Sequence, residues 1–228
     1  MKKVMVISLG GSLIIPDDVS YKFLKEFKRV IEKHSDKYKF VVVCGGGSVA
    51  RKYIRALSES GANNDFQSFA GISATRMNAR FVSYFFGYDP DRGIPHTLHT
   101  LKKYLKKRNV VFCGALEYKP NQTSDSTAAG IAASFGSSFV NLSNVAGLFD
   151  KNPTENKGAK LIPYVSWEDF VTIANKIKFK PGQHFILDQV AARIIRDNKV
   201  ETYLIGNDMK QFSNFLNGKR FIGSIIGE

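Results

Sequence analysis

FVVVCGGGSVARKY, residues 40–53, passes from an apolar run through three consecutive glycines into a segment able to start a helix. The unbroken apolar character of Val41, Val42, Val43 and Cys44 is that of a strand buried on both faces, as in a parallel sheet. Glycine lacks the Cβ that keeps an anion away from the backbone, and a helix start presents unpaired N–H groups under a favourable dipole. The stretch therefore reads as a tight strand-to-helix turn or as a phosphate loop. A second such stretch, ISLGGS (7–12), ends the apolar run Lys3–Leu9. Two glycine loops on adjacent parallel strands would open into one crevice at the carboxyl edge of the sheet, where open α/β folds bind ligands.

Outward from these loops, apolar runs alternate with longer amphipathic segments. Strands are expected at Lys3–Leu9, Phe40–Cys44, Val110–Cys113, Ser138–Leu142 and Thr202–Ile205, with a last one near Phe221–Ile226. Between them, Val19, Phe23, Phe27, Val30 and Ile31 recur at helical spacing, as do Ala50, Ile54 and Leu57. The same holds for Ala128, Ile131, Ala132 and Phe135, and for Leu187, Val190, Ala191, Ile194 and Ile195. This order predicts an α/β fold, a three-layer α/β/α sandwich around a mainly parallel sheet. One domain of 228 residues is expected, with an N-terminal lobe to about residue 140 and a C-terminal lobe beyond a polar hinge at DKNPTENKGAK (150–160).

Composition narrows the function classes. Hydrophobic content of 43% and charged content of 23% belong to an ordinary globular chain, with no disorder signature. The start MKKVMVISLGGSLII has two lysines and an apolar run, but its glycines and the Pro16-Asp17-Asp18 that follows do not fit a signal peptide, so a cytoplasmic protein is expected, with no membrane partner. The net charge of +13 lies largely on predicted helices (Lys102, Lys103, Lys106, Lys107, Arg108), the place of solvated charge, and no nucleic-acid motif accompanies it. Cys44 and Cys113 read as core thiols, and no Cys/His spacing suggests a protein-held metal. His34, His96, His99 and His184 read as surface or structural, and Trp167, after a possible cap at Ser166, as a packing residue.

Two nucleotide fingerprints can be set aside. Gly45 to Ala50 matches G-x-G-x-x-A, but it follows the second strand, and Asp65 lies in ESGANND, which reads as a loop. No Walker A spacing occurs. Farther on, Thr123, Ser124, Asp125, Ser126 and Thr127 stand at the start of an alanine-rich helix. They read as an N-cap, or as hydroxyls and one carboxylate suited to a phosphate with a nearby cation.

Taken in order, these pieces resemble the amino acid kinase family, and within it the archaeal-type UMP kinases. The matching stretches are ISLGGS (7–12), VVVCGGGSVARKY (41–53), GISATRMNA (71–79), TSDSTAA (123–129), SNVAGLF with NP (143–153) and ILDQVAARII (186–195). The resemblance implies ATP-dependent phosphoryl transfer to UMP, giving UDP for pyrimidine nucleotide synthesis, with ATP and Mg2+ as cofactors. It also implies a homo-oligomer, a hexamer built as a trimer of dimers. By position it implies that Gly10, Gly11 and Ser12 cradle the transferred phosphates together with Gly45, that Gly46 faces UMP, and that Gly47 and Arg51 contact phosphates on the ATP side. Asp125 would be the catalytic-site aspartate organising cationic groups, beside Arg51 and Ser8, with Thr123 and Ser124 near the acceptor. Ser143, Asn144, Phe149 and Asn152 would surround the adenine and ribose of ATP.

The chain departs from its relatives at several of these positions. Ser8 stands where many members carry lysine, and Ser68 where the acceptor-ribose aspartate falls. ALEYKPNQ (115–122) is longer than its counterpart, while Ala146 and Asn152 replace acids, Phe149 a tyrosine and Gln189 a proline. Same-fold alternatives are a kinase for isopentenyl phosphate, acetylglutamate or carbamate, or a non-catalytic nucleotide or oxyanion storage protein.

Overall fold

The computed structural model describes residues 2–118, 123–176 and 187–228. His184, Ile186 and the 119–122 part of the long stretch lie outside the described residues. The first half of the chain forms β1 (Lys3–Leu9), α1 (Gly11–Ile14), α2 (Tyr21–His34), β2 (Tyr38–Cys44), α3 (Gly47–Glu59), α4 (Asn64–Phe85), α5 (Leu98–Lys107) and β3 (Val110–Cys113). The second half forms α6 (Ser124–Phe135), β4 (Ser138–Leu142), β5 (Leu148–Phe149), β6 (Leu161–Ile162), β7 (Tyr164–Val165), α7 (Trp167–Lys176), α8 (Gln189–Asp197), β8 (Thr202–Ile205), α9 (Met209–Leu216) and β9 (Gly223–Ile226).

Among the described residues seven strands make one sheet in the order β3-β2-β1-β4-β8-β9-β7. Its pairings are parallel except between β8 and β9. The expected three-layer α/β/α architecture is therefore present. The valine run explains itself in this setting. Val41 and Val43 enter the core beneath α5, α6 and α8, while Phe40, Val42 and Cys44 enter the opposite core beneath α2 and α9. Both sides are dry, so no polar alternation survives along the strand. Among the described residues five phenylalanines (Phe27, Phe40, Phe139, Phe170 and Phe212) are wholly buried, each contributing roughly 1.5–3 kcal/mol by area removed from water.

Cys44 and Cys113 are free and buried, and they belong to opposite cores. Burial pushes the Cys113 thiol up to about 12 and raises Cys44 well above its ordinary value, so both are inert packing groups. Trp167 packs against the α7 side of the core and donates Nε1–H to the Val200 carbonyl at 3.1 Å. Ser166 caps that helix through the Asp169 amide, at 3.1 Å.

Three features differ from the sequence reading. Val19 precedes α2 and is exposed; the buried stripe of that helix is Leu24, Phe27 and Ile31. ESGANND is largely helical at its end: the Asn63 side chain accepts from the Phe66 amide at 3.0 Å and starts α4, so Asp65 lies in a first helical turn. The 22-residue α4 leaves no clear period because Phe66, Phe69, Met77 and Tyr84 stay exposed on it. The 150–160 stretch is the loop of an antiparallel ribbon, in which Leu148 pairs with Ile162 and Phe149 with Leu161. Ser224 ties that ribbon to the sheet: its Oγ accepts from the Leu148 amide at 2.8 Å and donates to the Ile162 carbonyl at 2.6 Å.

Candidate active site

The parallel register pairs Leu9 with Cys44, so the loops that follow β1 and β2 leave the sheet side by side. They touch through their backbones. A Cβ on Gly11 would stand 2.0 Å from the Gly47 nitrogen, and one on Gly45 would stand 2.5 Å from the Gly11 nitrogen. Gly10 is held by its amide to the Leu142 carbonyl at 2.9 Å, at the end of β4. Gly47 has a left-handed φ of +61°, which side-chain-bearing residues rarely adopt. The absent Cβ atoms thus serve loop-to-loop contact as well as any anion. Gly46 precedes α3 without a side-chain cap, and the next serine, Ser48, is buried with no partner for its hydroxyl among the described residues. A helix start with open donors and an orphaned buried hydroxyl fits a phosphate group.

A second cluster forms beside the loops. Ser8 of β1 and Asn141 of β4 are register partners on adjacent strands, so their side chains emerge together on the α6 side. Both donate to the same oxygen of Asp125: Ser8 Oγ at 2.6 Å and Asn141 Nδ2 at 3.0 Å. Asp125 sits in the first turn of α6, whose capping box is made by Thr123 and Ser126. Thr123 Oγ1 accepts from the Asp125 amide at 3.1 Å and donates to Asp188 Oδ2 at 2.5 Å. Asp188 in turn caps α8, accepting from the Val190 and Ala191 amides at 2.8 and 2.9 Å. Burial raises the Asp125 carboxyl most; the Ser8 bond lowers it, the Asp188 charge raises it and Asn141 lowers it, leaving it at about 6. Thr123 thus joins two half-buried carboxylates, Asp125 and Asp188. Among the described residues no group of three His, Cys, Asp or Glu side chains is gathered for a metal ion.

The remaining positions fall as follows. Ser12 and Ser124 lie half-buried at the first turns of α1 and α6. Arg51 leans from α3 toward the β1 loop, its Nη2 donating to the Pro16 carbonyl at 3.4 Å. Ser143 follows β4 and closes a turn with its Oγ on the Val145 amide at 3.1 Å, with exposed Asn144 beside it. Phe149 lies on β5, and Asn152 caps a turn through the Thr154 amide at 3.1 Å. Ser68 stands apart from the Asp125 cluster on α4. Its hydroxyl donates to the Asn64 carbonyl at 2.8 Å, which still leaves lone pairs to accept a hydrogen bond. Of the histidines, His34 is buried and bonded through Nδ1 to the Val30 carbonyl at 2.8 Å, and burial, then Arg76 and Arg80, depress His96.

Sequence reasoning missed Asn141 and Asp188. Each left a signal: an asparagine inside the apolar strand SFVNL, and an aspartate directly before a helical stripe in LDQVAA. It also passed over Thr75, Arg76 and Asn78 as individual residues. The Asn78 amide donates to the Gly45 carbonyl at 2.8 Å, and Thr75 Oγ1 accepts from the Ala115 amide at 3.0 Å.

Paired glycine loops and a helix-borne carboxylate at the carboxyl edge of a parallel sheet define a phosphate-handling α/β protein. The sequence pattern of the amino acid kinase family matches residues 3–206, and the chain belongs to that family. A uridylate kinase from Thermococcus kodakarensis is 30% identical over 220 residues, covering 94% of this chain and 96% of the relative. One from Hyperthermus butylicus is 30% identical over 228 residues, covering 99% and 98%. The crystal structure of uridylate kinase from Archaeoglobus fulgidus superposes with a TM-score of 0.84 at 29% identity, over 100% of both chains.

Proposed function

We propose that this protein transfers the γ-phosphoryl group of ATP to UMP, forming UDP and ADP. The observation that carries the reading is the contact of the two glycine loops beside the Ser8–Asp125–Asn141 cluster, in a chain similar along its whole length to uridylate kinases. A phosphate oxygen of UMP attacks the γ-phosphorus, and the bond from that phosphorus to the β–γ bridging oxygen breaks, its electrons leaving with ADP. Such a transfer needs in-line placement and charge neutralisation more than covalent help. The acceptor phosphate is mostly doubly ionised at neutral pH, so no side-chain base is required.

In this reading Gly10, Gly11, Ser12 and Gly45 hold the transferred phosphates, with Gly47 and Arg51 on the ATP side. Gly46, Ser68, Thr123 and Ser124 serve the acceptor. Residues to about 140 carry UMP, and Ser143, Asn144, Phe149 and Asn152 of the remainder carry the adenosine of ATP. Magnesium brought with ATP would supply positive charge to the transferred group; Asp125, fixed by the neutral donors Ser8 and Asn141, would orient cationic groups there, with Arg51 on the ATP side. The cellular setting is cytoplasmic pyrimidine nucleotide synthesis.

Purified protein offered ATP, magnesium and a panel of UMP, CMP, isopentenyl phosphate, acetylglutamate and carbamate should form ADP fastest with UMP. Tight nucleotide binding without turnover of any acceptor would instead support storage. A homo-oligomer, a hexamer built as a trimer of dimers, belongs to the same reading and is supported by the exposed apolar side of α4 formed by Phe66, Phe69, Met77 and Tyr84. Met77→Glu should shift the mass measured by light scattering to a smaller species at unchanged helix content; an unaltered mass would remove this face from the assembly.

A further inference from the structure

The segment Ala74–Asn78 of α4 touches two loops at once. Asn78 reaches the glycine loop after β2 through the Gly45 carbonyl, and Thr75 and Arg76 reach the chain that leaves β3. Gly114 lies flush against this part of the helix: a Cβ there would meet the Arg76 nitrogen and Thr75 Oγ1 at 2.6 Å. Beyond Gly114 the Ala115 amide donates to Thr75 Oγ1 at 3.0 Å. Arg76 then accounts for the next two peptide carbonyls. Its Nε donates to Ala115 O at 3.0 Å and its Nη2 to Leu116 O. Farther along, Tyr118 lies over Phe69 with ring centroids 4.7 Å apart and donates its hydroxyl to Asp65. Residues 114–118 thus run as a strap along α4, past the turn that carries Ser68, toward its N-terminus.

We infer that Arg76 is a positioning residue for the phosphoryl acceptor, holding the 114–118 strap against α4 so that the wall beside Ser68 is formed before the acceptor arrives. The inference rests on the UMP kinase reading and deepens its acceptor side. A planar guanidinium can bond two successive carbonyls at once, and its charge strengthens both bonds. No other described side chain bonds the Leu116 carbonyl. Without Arg76 the described polar bonds from the strap to α4 are the Thr75 bond at one end and the Tyr118 hydroxyl at the other, beside the core burial of Ala115 and Leu116. The acceptor would then have to order the wall as it binds, which weakens binding and leaves the bound complex able to react. The ATP side, built from other loops, is not touched by Arg76.

The test compares the wild type with Arg76→Gln and Arg76→Lys. Hydrogen exchange of the nucleotide-free protein should show the 115–118 amides exchanging about tenfold faster or more in Arg76→Gln, with the β1 and β2 amides unchanged. Steady-state kinetics should show KM for UMP raised about tenfold or more, with kcat within about threefold and KM for ATP unchanged. Arg76→Lys, which keeps the charge but not the fork, should fall between. A loosened strap with an unchanged UMP KM overturns the inference, as does an unloosened strap. Equal losses in kcat and both KM values with a lower melting temperature would make Arg76 merely structural. Wild-type turnover separates the two readings: if another acceptor is preferred, the UMP assignment fails and Arg76 is judged on that acceptor's KM. If none reacts, the exchange result and equilibrium binding of UMP judge Arg76 alone.

Discussion

Asp125→Asn should lower kcat by about a hundredfold or more, the scale on which a preorganised electrostatic group acts, and should stabilise the protein at pH 7. Asparagine keeps an oxygen for the Ser8 and Asn141 donors and a similar volume, so the architecture of the cluster survives. What it removes is the buried charge. The Asp125 carboxyl is raised from 3.8 to about 6, by burial first, so the folded state holds its proton more tightly than the unfolded chain does. A raised acid of this kind leaves stability intact below the unfolded value and costs stability as pH climbs through the folded one. The difference in unfolding free energy between Asp125→Asn and wild type should therefore be near zero at about pH 3, below the unfolded value, and grow, with the variant ahead, to about 3 kcal/mol at pH 7. Chemical denaturation at several pH values measures it. The phosphate of UMP titrates in the same range, so the stability difference, not the pH profile of kcat, reports the carboxyl. A variant with near-normal kcat would remove Asp125 from the reaction, and a flat stability difference would mean that its charge is solvated.

The second large effect belongs to the glycine loops. Gly47→Ala should destabilise the fold by about 3 kcal/mol or more and abolish turnover. The position has φ +61°, and a Cβ there would lie 2.5 Å from Gly11 O and 2.8 Å from Ile15 O. Both are backbone atoms with no rotamer to change, so the two loops must separate. Gly61→Ala is the control, for it also has positive φ (+78°) but nothing within 4 Å of the added Cβ; it should cost about 1–2 kcal/mol and leave kcat alone. Denaturation midpoints and initial rates of ADP formation compare the two. Equal costs at Gly47 and Gly61 would show that conformation alone, and not loop contact, demands the glycine.

Strand positions were legible in the residues because the two-sided burial of a parallel sheet writes continuous apolar runs. Lys3–Leu9, Val110–Cys113, Ser138–Leu142 and Thr202–Ile205 begin and end as read. The elements that escaped are those without a period. Strands β5, β6 and β7 have two residues each, too few to alternate, and α4 carries apolar residues on its exposed side as well as its buried one.

The sequence by itself determined the α/β class, the two glycine turns at strand ends and the acid-and-hydroxyl helix start at Thr123–Thr127, because backbone freedom, strand burial and helix capping are local properties written in consecutive residues. Only the tertiary structure decided what these pieces touch. Strand register set Ser8 beside Asn141 and aimed both at Asp125; the packing of α6 on α8 brought Asp188 to Thr123; and the approach of two loops made Gly11, Gly45 and Gly47 mutually dependent. The hydrogen bonds among them join residues up to 117 positions apart, and no local pattern can encode a pairing that exists only once the sheet has assembled.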